Sequence, residues 1–218
     1  MFSATVATVS LLLALSPLAA ADFSTYRGLT LGISVAAAAK VAGTVPGEAI
    51  VVHKRPALLQ EMHWRPGSTS NDSVQDALLS FYNGELTRIV ITYDRYRVEG
   101  MTTKDMVDGI SKIYGAATVT GTAIPFHSIY GETAAVLARW QEGDSAWNLV
   151  RTGDGASYAL VGFSVKRDAL SFAAEIEATR LETEEAPQRE AARQKQRDSD
   201  ESTAMDKARA TNKPAFKP

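Results

Sequence analysis

The 218 residues carry 23 Lys and Arg against 25 Asp and Glu, a formal charge of −2, and no cysteine. A near-neutral chain with scattered basic residues lacks the positive stripe that a phosphate backbone requires, which argues against nucleic acid as a partner. Without cysteine there is neither a disulfide nor a thiol to carry a lipid anchor, so the core must hold itself together by packing.

Residues 1–21, MFSATVATVSLLLALSPLAAA, resemble a secretory signal peptide: an apolar run from Leu11 to Leu15, a break at Ser16-Pro17 and small residues Ala19 to Ala21 before Asp22. No Lys or Arg precedes the run, and a buried N-terminal helix is the competing reading. The segment is short for a membrane span. The expectation is an exported protein, periplasmic or secreted, that keeps no transmembrane span once the signal is removed.

Residues 22–165 suffice for one core-forming domain. Asp22 to Ile33 reads as an extended segment punctuated by Gly28 and Gly32. Ser34 then caps a short alanine-rich helix that Gly43 ends. Strands are expected at Glu48–Lys54 and Leu58–Trp64, joined near Arg55-Pro56, followed by a polar loop over residues 65–72. Two strand-forming runs flank Asn83-Gly84, the pair favoured in a two-residue type I′ hairpin. Simple alternation from that turn sets Phe81 against Leu86, Leu79 against Arg88 and Ala77 against Val90, leaving Leu78, Ser80, Thr87 and Ile89 on the other face. Thr102 or Thr103 caps a second helix with Met106, Ile110 and Ile113 on one side and Gly115 at its end. A short strand near Thr118–Gly121 and three strands at Ala134–Gln141, Ala146–Arg151 and Tyr158–Val165 complete the domain, with turns at Gly143-Asp144 and Gly153-Asp154-Gly155.

The fold expected is α+β: two tandem helix-plus-antiparallel-sheet repeats, about residues 22–94 and 101–165. A charged C-terminal tail, helical or disordered, spans residues 166–218. In its first part Ala169, Phe172, Ala173 and Ile176 form the apolar stripe expected to dock, and Pro187 interrupts the run. The tail holds 11 basic and 11 acidic residues, so it is no polybasic anchor.

No catalytic, cofactor or metal signature is present. His53, His63 and His127 are the only histidines, without the spacing of a zinc site, and ordinary strand positions account for them better. No serine-nucleophile elbow exists, and the glycines are too sparse for a phosphate cradle. Tyr93, Arg95, Tyr96 and Arg97, around Asp94, form the densest aromatic and arginine cluster, a composition favoured at partner-binding hot spots. The plainer reading is a strand end whose arginines pair with Asp94 and Glu99. Trp140 and Trp147 stand across the Gly143-Asp144 turn as a cross-strand pair.

The order Gly28-Leu29-Thr30-Leu31-Gly32-Ile33-Ser34, a short helix closed by Gly43, and Leu78–Ile89 with its Asn-Gly turn resembles the repeat of the SmpA/OmlA and β-lactamase-inhibitor-like group. The chain also resembles uncharacterised exported bacterial proteins, through RPALLQE at Arg55–Glu61 and EAPQRE at Glu185–Glu190. The wider group implies a non-enzymatic protein-binding module of the bacterial envelope whose partner is another envelope or secreted protein. The alternative is a small-ligand-binding periplasmic protein that uses a cleft between the repeats.

Overall fold

A computed structural model describes residues 22–66, 72–120, 125–127, 133–151, 157–215 and 217. The expected signal segment, residues 1–21, lies outside the described residues, as does the expected turn at Gly153-Asp154-Gly155.

The chain opens with a two-stranded ribbon, β1 (Thr25–Tyr26) and β2 (Leu29–Thr30), turned through Arg27 and Gly28 at positive φ. Helix α1 (Val35–Ala42) follows: the Ser34 hydroxyl accepts the Ala37 amide and Gly43 closes it in the left-handed region. A 3-10 turn at Pro46–Glu48 leads to β3 (Ile50–His53), β4 (Leu59–Trp64), β5 (Val74–Tyr82) and β6 (Glu85–Tyr93). Helix α2 (Thr103–Tyr114) has a capping box, in which Thr102 and Asp105 satisfy each other's backbone amides. Strands β7 (Val119–Thr120), β8 (Pro125–His127), β9 (Thr133–Glu142), β10 (Ser145–Arg151) and β11 (Tyr158–Ser164) precede a single helix, α3 (Val165–Asn212).

The strands form one antiparallel sheet in the order β3-β4-β5-β6-β11-β10-β9-β7, with β8 also paired to β9. This corrects the expectation of two tandem helix-plus-sheet repeats. Strand β6 pairs with β11 from Arg88 to Thr92, so the strands of both halves belong to one sheet. The physical reason is the edge problem: two small meanders would each leave unpaired amides and carbonyls at β6 and β11, and joining them satisfies both rows. One core then serves the whole molecule. Ala38 and Ala39 of α1, Met106, Ile110 and Tyr114 of α2, and Tyr26 and Leu29 of the ribbon pack with Leu79, Phe81, Ile89, Trp140 and Trp147 on the same sheet face.

The Asn83-Gly84 turn forms as expected, with φ of 51° and 82° at its two residues. The register beyond it differs. Phe81 faces Leu86, but Ser80 faces Arg88, Leu79 faces Ile89 and Ala77 faces Ile91, because the register shifts at Ser80/Phe81 and leaves Thr87 as the extra residue of a bulge. Thr87 is buried and its hydroxyl donates to the Ser80 carbonyl at 3.0 Å. The bulge returns Ile89 to the core and sends Arg88 through to the opposite face.

That opposite face receives α3, and here the sequence expectation fails a second time. The tail is neither loose nor broken at Pro187: α3 runs unbroken for 48 residues. It docks through the small residues Ala174 and Ala178, both buried, whereas Leu170, Phe172 and Ile176 are 54%, 38% and 57% exposed. Helical periodicity alone placed the large residues inward. Alanines let the helix backbone lie close to the sheet, and charged pairs fix its rotation.

Candidate functional site

Two features could serve binding: the helix clamp on one sheet face and a tyrosine-walled cleft on the other. The clamp begins where the bulge delivers Arg88. Its Nε and Nη2 donate to the two carboxylate oxygens of Asp168 at 2.7 and 2.6 Å, and the two side chains keep only 10% and 15% exposure. This bidentate geometry is the strong form of a charged pair. Along α3 the pairs continue: Arg167 Nε donates to Glu85 at 2.8 Å, His53 Nδ1 lies 2.9 Å from Glu182, and Arg55 Nη2 donates to Glu185 at 2.8 Å. The helix therefore crosses the sheet from β6 to the outer strand β3 and is tied at each stage. The Ser164 hydroxyl caps the start of α3 by accepting the Arg167 amide, and in turn donates to Asp144 at 2.6 Å. That contact and the Lys166 amide hold the Asp144 carboxyl below its ordinary value although burial opposes the shift.

Between β4 and α3 lies Glu61. Burial, with the Glu175 charge adding to it, pushes its carboxyl above the ordinary value. Ser80 Oγ is buried in the same space, without a hydrogen-bond partner among the described residues.

From residue 186 to 212 every position of α3 is exposed. At 1.5 Å per residue this is a projection of ~40 Å beyond the clamp. Side-chain pairs one turn apart support it, among them Arg193–Glu190, Gln194–Asp198 and Gln196–Asp200. Pro187 lacks an amide to donate, and Arg189 Nη2 donates to the nearby Glu182 carbonyl at 2.8 Å.

The cleft lies on the core face, between α2, the β1–β2 ribbon and the end of β6, with a volume of about 360 Å³. Tyr26, Tyr93 and Tyr114 stand in its wall with Met106, Ile110 and Leu160. Behind them runs an aromatic stack: Tyr114 lies on Trp147 at 5.1 Å, Tyr26 is 5.8 Å from Trp147, and Phe23 is 5.5 Å from Tyr114. Tyr114 donates to the Thr25 carbonyl at 3.2 Å. Burial raises the proton affinity of all three phenols, so each stays a neutral hydroxyl at physiological pH. Arg27, at the rim, stacks over Tyr26 and is held by both oxygens of Asp72 at 2.6 and 3.0 Å.

The structure divides the expected partner-binding cluster. Tyr93 turns into the cleft. Arg95 lies over the Tyr96 ring at 5.4 Å, and Tyr96 is 75% exposed. Asp94 accepts the backbone amides of Tyr96 and Arg97 at 2.8 and 3.2 Å, so this carboxylate organises a turn. The three histidines fall apart as well: His53 belongs to the clamp, His63 is exposed on β4, and His127 is in β8. Among the described residues no group of three or more His, Asp or Glu is placed to hold a metal ion. Trp140 and Trp147 do pair across the β9–β10 hairpin, their indole nitrogens donating to the carbonyls of Gly115 and Phe23. The residues that sequence reasoning missed are Arg88, Asp168 and Tyr26. Only the bulge and the path of α3 bring the first two together, and no local pattern marks either.

No family model matches the chain, and no curated protein does. A solved structure with some likeness is a cysteine-rich secretory protein of Staphylococcus aureus, at TM-score 0.30 and 7% identity over 63% of this chain. The match spans about 44% of that protein's length. Among the described residues, no helix is long and apolar enough to cross a membrane.

Proposed function

We propose that the protein is an exported, non-enzymatic protein-binding module of the bacterial envelope, in which the sheet domain holds and α3 reads. The observation that carries this reading is the continuity of α3: its first half is clamped by three arginine–carboxylate pairs and a His53–Glu182 contact, and its last 27 residues, 186–212, stand wholly in solvent. A helix that is polar on every side and rigidly mounted has no core to build, and contact with another molecule is the use such a form suits. Exposed Leu170, Phe172 and Ile176 add separate apolar side chains around its base. Several ionisable groups with shifted proton affinity find structural explanations: Asp105 in a cap, Asp72 and Glu185 in ion pairs. Residues 1–21 support export, and the balanced charge favours an envelope or secreted protein over nucleic acid as the partner.

The test compares affinity capture from an envelope extract by the chain starting at Asp22 and by the same chain stopped after Ala186. Stopping at Val165 would remove Asp168 and confuse loss of a partner with loss of the fold. A protein enriched by the longer form and lost with the shorter supports α3 as reader. Equal enrichment by both, or none by either, refutes it.

A further inference from the structure

We propose that the tyrosine-walled cleft is a binding site for a small, neutral, ring-bearing molecule carrying a carbonyl oxygen. Three independent features of the cleft lead there. The first is Gly109, in the middle of α2, where glycine costs about 1 kcal/mol relative to alanine. Its φ is ordinary, and a Cβ built there would meet nothing within 4 Å. Neither a turn nor close packing explains the residue. Its missing side chain is part of the volume of the cleft that it lines.

The second is the hydroxyl of Tyr26. This residue is only 9% exposed, it lines the cleft, and among the described residues its hydroxyl has no hydrogen-bond partner. The hydroxyl opens on the cleft rather than being sealed in the core, so it can donate to an oxygen of a molecule seated there. The Tyr93 hydroxyl is within electrostatic reach of it and is likewise without a partner among the described residues. Two phenols without a protein hydrogen-bond partner among the described residues thus line one cleft.

The third is charge. The one guanidinium at the rim, Arg27, is already neutralised by the bidentate pair with Asp72. The three phenols are neutral, and the Asp105 carboxylate, which also lines the cleft, is engaged by the Thr102 cap and repels an anion. An anion would give up its hydration for no net countercharge, whereas a carbonyl accepts from a phenol at little cost. The flat aromatic backing and the adaptable Met101 and Met106 suit a ring. The cleft volume of about 360 Å³ falls within the range of small-molecule sites. This site stands apart from α3 and does not depend on it.

The experiment uses the full chain from Asp22 and three probes: 2-acetylnaphthalene as the neutral ketone, naphthalene without the oxygen, and 2-naphthoate as the anion. Isothermal calorimetry reads binding, and quenching of tryptophan emission reads proximity to the aromatic stack. The ketone should bind once per chain, more tightly than either of the others. Tyr26→Phe, which keeps the ring, should weaken the ketone about 3- to 10-fold and leave naphthalene unchanged. Gly109→Leu should abolish binding of the ketone while raising or preserving the melting temperature, because the added side chain meets open space. Absence of saturable ketone binding, tighter binding of the anion, or binding that survives Gly109→Leu in the folded variant would each overturn the proposal.

Discussion

Gly162→Ala tests the core most sharply. Gly162 of β11 faces Trp147 of β10, and a Cβ at 162 would lie 2.2 Å from one carbon of the indole ring and 2.3 Å from the next. The ring cannot retreat freely. It is fully buried, stacked on Tyr114 at 5.1 Å, and its nitrogen donates to the Phe23 carbonyl at 2.9 Å. Overpacking of this kind costs about 1–3 kcal/mol, and losing the indole hydrogen bond adds about 1 kcal/mol. The entropy gained by replacing glycine returns about 0.5–1 kcal/mol. The net expectation is a loss of about 1–3.5 kcal/mol, which lowers the melting temperature by roughly 2–14 °C for a domain of this size. Urea and thermal unfolding followed by near-ultraviolet circular dichroism would measure it. In a Trp147→Leu background the same substitution should cost much less, because the obstructing ring is gone. A single variant within about 2 °C of wild type, or an equal cost in both backgrounds, would refute the packing argument.

Asp168→Ala should destabilise by about 3–5 kcal/mol, since it removes the countercharge of a nearly buried guanidinium, and should expose the base of α3 to limited proteolysis. Stopping the chain after Ala186 should leave the melting temperature within about 2 °C, because the removed residues bury nothing, whereas stopping after Val165 should lower it by far more. For Glu61 the folded value lies above the ordinary 4.5, so the folded state holds the proton more tightly. Stability should therefore decline as pH rises through the interval from 4.5 to the raised value, and Glu61→Gln should flatten that decline and be the more stable form above it. Chemical denaturation at a series of pH values checks the sign.

The local features were legible because their causes are local. Ser34, Gly43 and Asn83-Gly84 each act on amides within a few residues and sit where the sequence placed them, and of the two cap candidates Thr102 and Thr103 the structure takes Thr102. What escaped was whatever depends on distant partners. A one-residue bulge at Thr87 has no sequence mark, yet it decides which face receives Arg88. The docking side of α3 was misjudged because hydrophobic periodicity favours Phe172 and Ile176, while the sheet selects Ala174 and Ala178 for closeness and matches charges gathered from β3, β6 and the segment at Arg55. Continuity of the sheet was hidden for the same reason, since the pairing of β6 with β11 joins residues some 70 positions apart. At the site, the cluster around Tyr93 was visible as composition, but its division between cleft and surface was not.

A continuous helix anchored at one end is also a protractor. Each residue of α3 beyond the clamp advances the far end by ~1.5 Å and turns it by ~100°. Deleting seven residues after Gln188 would draw the tip in by ~10 Å and leave its faces almost in their original direction. Deleting five would shorten it less and rotate the tip by ~140°. The clamp at Arg88 and Asp168 thereby sets a bearing as well as a distance for whatever the end of the helix carries.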